Sequence, residues 1–329
     1  FSICATDVTL MFQTFPLNLS YIEQVTKLDA YMKPNLFIVG APKCGTTAWV
    51  EYLGSHPDIF FSPAKEPHHF ARDFSKWCFF REREDYLARF NDSGDAQVVG
   101  EASVRYLYSQ AAAQEIHKFN PDAKILIFLR SQEDFLPSLH NQQLYNGDES
   151  IEGFGQAWRL SGKRTADNIP SYCREPSFLD YAAMGRFLEQ IERYLAVFPV
   201  EQVRVIPFGN WVENPRQTYL EILSFLGIED DGRTEFPLIN EAKHHKSKLL
   251  ASLTQIPAPW IRRGHTHLTR LAGRELGLLT RLRKLNRGSG YRSPVDPSLK
   301  DEIRRYYGEG NRKLISRINS LWDAQWTGL

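Results

Sequence analysis

The sequence predicts an α/β protein with three layers, in which a central parallel sheet is flanked by helices. Three short apolar runs carry this prediction, at Asn35–Gly40, Lys124–Leu129 and Val203–Pro207. Each run has the length and composition of a buried parallel strand. Segments with helical periodicity separate the runs, and strands that alternate with helices form a parallel sheet. We therefore expect all three runs in one sheet.

The remaining elements follow from periodicity and from residues that start or end helices. A further short strand is predicted at Gln97–Gly100, and Asn214-Pro215 and Gly227 delimit one helix. Other helices are predicted at Thr46–Ser55, Ser109–Phe119, Glu133–Tyr145, Leu179–Phe198 and Ser298–Leu321. Leu179–Phe198 has the clearest amphipathic pattern, and Ser298–Leu321 is expected to form a helical C-terminal elaboration.

Composition indicates a globular protein with a sizeable core, because 42% of the 329 residues are hydrophobic and 24% are charged. Residues 1–34 show no firm periodicity and are interpreted as a lead-in or linker. Residues 35–329 are then expected to form a single domain. The net charge of +1 argues against nucleic acid as a partner. No run of about 18 apolar residues occurs, so no transmembrane helix is predicted.

Cysteine spacing and local charge bear on location and partners. The four cysteines are Cys4, Cys44, Cys78 and Cys173. Their wide spacing favours neither a zinc site nor a disulfide framework, so a reducing, cytoplasmic location is expected. The chain begins with Phe, which leaves an upstream anchor or fused domain open. The segment 257–293 is strongly basic; an ordinary basic surface is favoured there over docking of an acidic carrier protein or an anionic membrane.

The segment Gly40–Thr47 reads Gly-Ala-Pro-Lys-Cys-Gly-Thr-Thr, and it joins the first predicted strand to the first predicted helix. Unpaired N–H groups at a helix start point toward an anion, and glycines let the backbone approach it. The segment therefore predicts a phosphate loop and a P-loop-type fold, with a turn that binds nothing as the alternative. Kinases and nucleotide hydrolases of that class carry a lysine where this loop has Thr46; its own lysine is Lys43.

A second anion site is predicted after the strand Lys124–Leu129. Arg130 stands at the carboxyl end of that strand, where parallel sheets bind ligands, and Ser138 follows on the next helix. A guanidinium forms forked bonds to phosphate and a hydroxyl adds one more. An arginine in this position is, by itself, as often part of a surface ion pair.

Taken together, these segments resemble the sulfotransferases that use 3'-phosphoadenosine 5'-phosphosulfate (PAPS). The pattern PKxGTT after a strand resembles their 5'-phosphosulfate loop, and Arg-x7-Ser resembles their 3'-phosphate motif. The resemblance implies PAPS as the sulfonate donor, no metal, and donor contacts from Lys43, Cys44, Gly45, Thr46, Thr47, Arg130 and Ser138.

The Gly-rich basic stretch Asn286–Asp296 is similar to a loop that closes over the donor in heparan-sulfate-type and related bacterial sulfotransferases. By that similarity, Tyr291 and Arg292 join the donor-binding residues. The Lys-Gly-Arg of the glycan branch is absent from this stretch in that order, and an ordinary surface loop is the alternative.

The stretch Lys65–Phe70 combines a carboxylate with cationic groups, the chemistry that a sulfonate transfer needs. In an extended segment Glu66 and His68 would point to the same side. The stretch resembles the KExHxF segment of heparan-sulfate-type sulfotransferases and of bacterial relatives, some embedded in polyketide assembly lines. The resemblance implies Glu66 as general base, His68 as a positioning group and Lys65 as an acceptor-binding or charge-neutralising group. His68 is the alternative base, and a solvated polar loop is the alternative for the stretch.

Three further residues are candidates for the acceptor site. Glu101 and Ser103 lie in a segment where glycan sulfotransferases carry Glu-Lys-Thr/Ser, and Ala102 replaces that lysine. The replacement weakens the case for a strongly anionic glycan acceptor. His245, in the cluster Lys243–Lys246, is the third candidate, although a solvated basic turn is favoured there. Neighbouring histidines lack metal-ligand spacing on a helix, so no metal site is predicted.

The expected function is transfer of sulfonate from PAPS to an acceptor hydroxyl by in-line attack, with Glu66 as general base. A saccharide, a polyketide tethered to a carrier protein and a small alcohol are all open as acceptors. A P-loop kinase or nucleotide hydrolase is disfavoured because Arg130 stands where a Walker-B acid is expected. A catalytically silent nucleotide-binding module is disfavoured by the presence of Lys43 and Glu66.

Overall fold

The computed structural model of the protein describes residues 33–63, 65–239, 243–245, 287–289 and 295–322. A sheet of five parallel strands in the order β2-β3-β1-β4-β5 lies at its centre, flanked by helices. These strands are β1 Leu36–Gly40, β2 Ile59–Phe61, β3 Val98–Ala102, β4 Lys124–Leu129 and β5 Val203–Pro207. Two short strands, β6 Lys243–His245 and β7 Arg287–Ser289, form a separate antiparallel pair.

The described α-helices alternate with the strands. They are α1 Thr46–Gly54, α2 Arg83–Leu87, α3 Ala112–Phe119, α4 Gln132–Asn146, α5 Phe154–Arg159, α6 Tyr181–Met184, α7 Phe187–Leu195, α8 Phe208–Glu213, α9 Pro215–Leu226 and α10 Pro297–Trp322. None of the helices in the described ranges is long and apolar enough to cross a membrane.

The predicted parallel α/β architecture is confirmed. β4 and β5 have the predicted bounds, and all five residues of β1 are buried, as expected for a strand covered on both faces. The helix predicted at Glu133–Tyr145 runs through Pro137 without interruption as α4. The stretch 286–296, expected to be a loop, contains the strand β7 at Arg287–Ser289.

The prediction of one helix over Leu179–Phe198 is wrong, because the chain breaks between α6 and α7. Tyr307 of α10 packs against the break: a Cβ on Gly185 would lie 2.4 Å from the Tyr307 hydroxyl. That hydroxyl donates to the carbonyls of Tyr181 and Ala182 at 3.2 and 2.9 Å. A side chain from the distant C-terminal helix thus bonds helix carbonyls at the break.

The order of the strands determines where a ligand can bind. β1 pairs with β3 on one side and with β4 on the other, so the connections after β1 and β4 leave the same edge of the sheet next to each other. In open α/β sheets, ligands bind in the crevice at the carboxyl ends of the strands where the strand order reverses. The loop Gly40–Thr47 and Arg130 both lie at this edge.

Replacing Gly45 with alanine is expected to lower the free energy of unfolding by about 2 kcal/mol or more. Gly45 has φ +84°, and an added Cβ would lie 2.2 Å from Trp211 Cζ2, so the change adds backbone strain and overpacking. Urea unfolding measures the loss. Gly209→Ala is the matched control, because nothing lies within 4 Å of its Cβ position. Equal stability of the two variants would contradict this packing.

Candidate active site

The predicted phosphate loop, Gly40–Thr47, connects β1 to α1 at the candidate site. Gly45 adopts the left-handed conformation immediately before α1, so the first N–H groups of the helix, at Thr46 and Thr47, are those that an anion could use. Lys43, at φ 65°, is also left-handed. The Cys44 side chain is fully buried, and burial raises the pKa of its thiol to about 12. Cys44 therefore offers an anion its backbone rather than a thiolate.

Two lysines lie at the loop Gly40–Thr47: Lys43 belongs to the loop, and Lys65 reaches it from another segment of the chain. Lys43 Nζ donates to Gln142 Oε1 of α4 at 3.2 Å. Lys65 Nζ, from the segment after β2, donates to Thr47 Oγ1 at 2.9 Å. The structure therefore brings Lys65, predicted as an acceptor-site residue, into contact with the loop predicted to bind the donor.

Arg130 and Ser138 flank the start of α4. The Arg130 guanidinium lies 4.6 Å from the ring centroid of Phe208, and its Nη2 lies 3.6 Å from Asp134 Oδ2. Lys300 of α10 also bonds Asp134, at 2.8 Å, and so ties the C-terminal helix to this part of the site. Arg130 Nε and the buried Ser138 Oγ have no hydrogen-bond partner among the described residues. Buried polar atoms normally have a hydrogen-bond partner. A ligand that accepts hydrogen bonds from both atoms would supply one.

Glu66 and His68 meet, although not by the geometry predicted for an extended segment. Both residues are in the left-handed region, with φ 62° and 53°. Glu66 Oε2 nevertheless lies 3.3 Å from His68 Nε2. The His68 side chain is fully buried, whereas that of Glu66 is 38% exposed. Of the pair, Glu66 is the group that a substrate can reach.

The surroundings of Glu66 favour its ionised form. Burial alone raises the pKa of this carboxyl, but the interaction with His68 and the positive charges of Lys65 and Arg105 outweigh burial and hold the pKa below its usual value. A carboxylate that is ionised at neutral pH can accept a proton.

The end of β3 supports the segment that carries Glu66 and His68. Glu66 N–H donates to the carbonyl of Ala102 at 3.0 Å. His68 N–H donates to Ser103 Oγ at 3.0 Å, and Phe70 N–H donates to the Tyr106 hydroxyl at 3.2 Å. Three bonds therefore fix a segment with two residues in an unfavourable backbone region.

The structure places Glu101 and Ser103 beneath this segment. Glu101 is 1% exposed and Ser103 is fully buried. Burial raises the pKa of Glu101 to about 7, and hydrogen bonds from the hydroxyls of Ser103, Tyr106 and Tyr86 oppose the rise. The prediction that Glu101 and Ser103 line the acceptor site stays a prediction, and the contacts shown here are with the supporting layer.

Three polar residues near the predicted site were absent from the sequence predictions. Gln142 and Gln143 follow Ser138 on α4 and contact Lys43 and Arg105 at 3.2 and 3.3 Å. Gln142 lies four residues after Ser138, so helical periodicity could have found it. Arg105 is 4% exposed and belongs to no motif, so no signal in the sequence distinguishes it from a surface arginine.

Some predicted residues lie outside what the structure shows. Tyr291 and Arg292 fall outside the described residues. His245 belongs to β6, which lies against α4, but its side chain is not described. Within the described ranges, no group of three or more His, Cys, Asp or Glu side chains is arranged to hold a metal ion.

The fold agrees with comparison to known proteins. Residues 33–248 match the sequence model of the sulfotransferase domain. The chain belongs to the sulfotransferase family. It is 32% identical to a sulfotransferase from Alicyclobacillus acidocaldarius of known structure, with a TM-score of 0.56, covering 76% of this chain and 99% of that one. The family expected from the sequence motifs is thereby confirmed.

Curated relatives include glycan-modifying members of this sulfotransferase family. The chain is 26% identical to carbohydrate sulfotransferase 15 of Rattus norvegicus over 59% of this chain and 44% of the relative. It is 26% identical to heparan sulfate glucosamine 3-O-sulfotransferase 6 of Mus musculus over 60% of this chain and 53% of the relative. The chain thus spans about half the length of these curated relatives.

Replacing Ser103 with alanine should destabilise this sulfotransferase by about 1–3 kcal/mol, because it leaves the buried His68 N–H without an acceptor. Urea unfolding measures the loss, and hydrogen exchange at the His68 amide should accelerate. Ser298→Ala removes a hydroxyl from an exposed position and serves as control, with a change within about 0.5 kcal/mol. Unchanged protection of the His68 amide in Ser103→Ala would contradict the assigned support.

Proposed function

We propose that this sulfotransferase moves the sulfonate of PAPS to a hydroxyl group of its acceptor, with Glu66 as general base. One observation carries the proposal. The phosphate loop after β1 and the pair Arg130 and Ser138 after β4 lie at the same edge of the sheet, and Lys65 links the loop to the segment that carries Glu66. Groups suited to two phosphates and a base thus lie at one crevice.

The donor fits the polar groups of this edge. Lys43 and the N–H groups of Gly45, Thr46 and Thr47 suit a 5'-phosphosulfate at the start of α1. A 3'-phosphate would satisfy both Arg130 Nε and Ser138 Oγ, which lack partners among the described residues. Phe208, against which the Arg130 guanidinium packs, would orient that guanidinium.

The residues around the donor supply the chemistry for one in-line step. The bound donor supplies the sulfonate. Glu66 takes the hydroxyl proton as the acceptor oxygen bonds to sulfur, while the bond from sulfur to the phosphate oxygen breaks and 3'-phosphoadenosine 5'-phosphate leaves. Lys43 and Lys65 offset the negative charge that builds up on the leaving phosphate. His68 holds the Glu66 carboxylate in place through the 3.3 Å contact.

The acceptor is proposed to enter a cavity of about 590 Å³ that borders the phosphate loop between α1 and β2. Thr47 and Lys65 line its end at the loop, and Lys65 is the one cation among the described residues that line it. Apolar side chains such as Phe60 and Phe61 line much of the rest, together with Glu51, Ser55 and Ser62. A weakly charged hydroxyl compound suits this surface better than a polyanion. The carbohydrate sulfotransferases among the relatives support a saccharide.

Glu66→Gln should lower sulfonate transfer by about 100-fold or more, because the amide cannot accept the proton. Transfer is measured with ³⁵S-labelled PAPS and EDTA, offering a glucosamine-containing oligosaccharide, a 3-hydroxyacyl thioester and a simple alcohol as acceptors. Release of free labelled sulfate reports transfer to water when an acceptor is refused. Glu84→Gln, at an exposed position of α2, is the matched control and should keep wild-type turnover.

Three results decide the proposal. Loss of transfer in Glu66→Gln with retained binding of 3'-phosphoadenosine 5'-phosphate supports Glu66 as the base. Retained transfer in that variant, together with loss in His68→Gln, assigns the base to His68 instead. A wild-type protein that transfers no label to any acceptor or to water contradicts the proposed activity.

A further inference from the structure

Arg105 is a buried cation on the turn that follows β3, with 4% of its surface exposed. Its guanidinium lies 4.1 Å from the ring centroid of Phe178 and 5.8 Å from that of Trp77. Nη2 donates to Gln143 Oε1 at 3.3 Å, and Nη1 has no hydrogen-bond partner among the described residues. Aromatic rings and one amide do not neutralise a buried charge, so Arg105 requires an anion nearby.

Asp148, the other acid whose charge acts on Arg105, is already paired. Asp148 accepts two bonds from the Arg174 side chain, at 3.1 and 2.6 Å, and one from the Arg174 backbone at 3.2 Å. Arg174 repels Arg105. The Tyr181 hydroxyl donates a hydrogen bond to Glu149. Burial raises the pKa of Tyr181 well above its usual value, so this side chain carries no charge that could balance Arg105. Glu66 is the acid that remains for Arg105.

Packing contacts place Arg105 and Glu66 in the same region of the protein. Glu66 is hydrogen-bonded through its N–H to Ala102, three residues before Arg105. The His68 ring, which contacts the Glu66 carboxylate, packs edge-on against Trp77 at 5.7 Å. Trp77 is also the ring that borders the Arg105 guanidinium. One aromatic side chain therefore separates the cation from the histidine that touches the proposed base.

We propose that Arg105 acts as a buried counter-charge that helps to hold the Glu66 carboxylate beside His68. The proposal rests on the proposed role of Glu66 as general base and adds a residue that acts through it. Arg105 is therefore a positioning residue, since its guanidinium is nearly inaccessible and cannot itself reach the reacting atoms.

The charged groups around Arg105 and Glu66 determine the direction in which the Glu66 pKa shifts when the Arg105 charge is removed. Burial lowers the pKa of Arg105 to about 10 against the opposing attraction of Glu66 and Asp148, so the guanidinium stays protonated at neutral pH. Glu66 is faced by His68 and Lys65 from its own segment and by Arg105 from the turn after β3. Removing the Arg105 charge removes an attraction for the carboxylate, so the Glu66 pKa must rise and less of it is ionised at a given pH.

The test is the titration of Glu66 by ¹³C NMR in protein labelled at the glutamate side-chain carboxyl. The Glu66 resonance is the one missing from the Glu66→Gln spectrum. In wild type its midpoint should lie below the ordinary value of about 4.3. In Arg105→Met the midpoint should rise, whereas Arg105→Lys, which keeps the charge, should leave it close to the wild-type value.

Arg89→Met is the matched control, because Arg89 also packs on an aromatic ring, at 4.3 Å from the Phe80 centroid, but bonds Ser62. A shift in Arg105→Met no larger than in Arg89→Met overturns the proposal. A wild-type Glu66 midpoint at or above the ordinary value also overturns the proposal. That measurement requires only that Glu66→Gln folds, because this variant assigns the resonance. The titration needs no turnover, so a Glu66→Gln variant that still transfers sulfonate would refute the proposed base and leave the charge pairing standing.

Discussion

The pairing of β1 with β4 is the constraint on which the candidate site depends. It places the loop after β1 beside the residue that ends β4, so the Lys43 loop and Arg130 share one edge of the sheet although almost 90 residues of sequence separate them. Neither anion site is complete for a bisphosphate donor without the other. The core behind the edge is built to hold this arrangement: Trp49 of α1 stacks on Phe128 of β4 at 5.6 Å, which fixes the helix that follows the loop.

The turn after β3 holds the segment that carries the proposed base, Glu66. The segment Lys65–Phe70 has two residues in left-handed conformations, and it is held by a backbone bond to Ala102 and by hydroxyl groups of Ser103 and Tyr106. The cation proposed to help hold the Glu66 carboxylate comes from the same turn. The proposed donor loop and the segment that carries the proposed base are thus supported by the neighbouring strands β1 and β3, and Lys65 bonds Thr47 between them. Such rigid support suits a reaction whose rate depends on alignment of three atoms in line.

Local patterns predicted four of the five strands of the parallel sheet and the position of the loop after β1, because each of these features is a run of consecutive residues. Apolar runs such as Lys124–Leu129 have the length and composition of buried strands, and the loop lies directly between its strand and helix. The break at Gly185 was missed because its cause, Tyr307, comes from a helix more than 100 residues later. The left-handed conformation of Glu66 and the burial of Arg105 were missed for the same reason. Both depend on tertiary contacts, which override local periodicity and spacing.

The central claim is that the crevice at the ends of β1 and β4 binds an adenosine 3',5'-bisphosphate without metal. Calorimetric titration with 3'-phosphoadenosine 5'-phosphate in EDTA tests it most directly, with ATP and Mg²⁺ as the competing ligand. Arg130→Ala is the decisive variant, and Arg159→Ala, at an arginine whose side chain is 67% exposed, is its control. The account predicts tight binding in wild type and Arg159→Ala and at least about tenfold weaker binding in Arg130→Ala. Preference for ATP with Mg²⁺, or binding unaffected by Arg130→Ala, would contradict it.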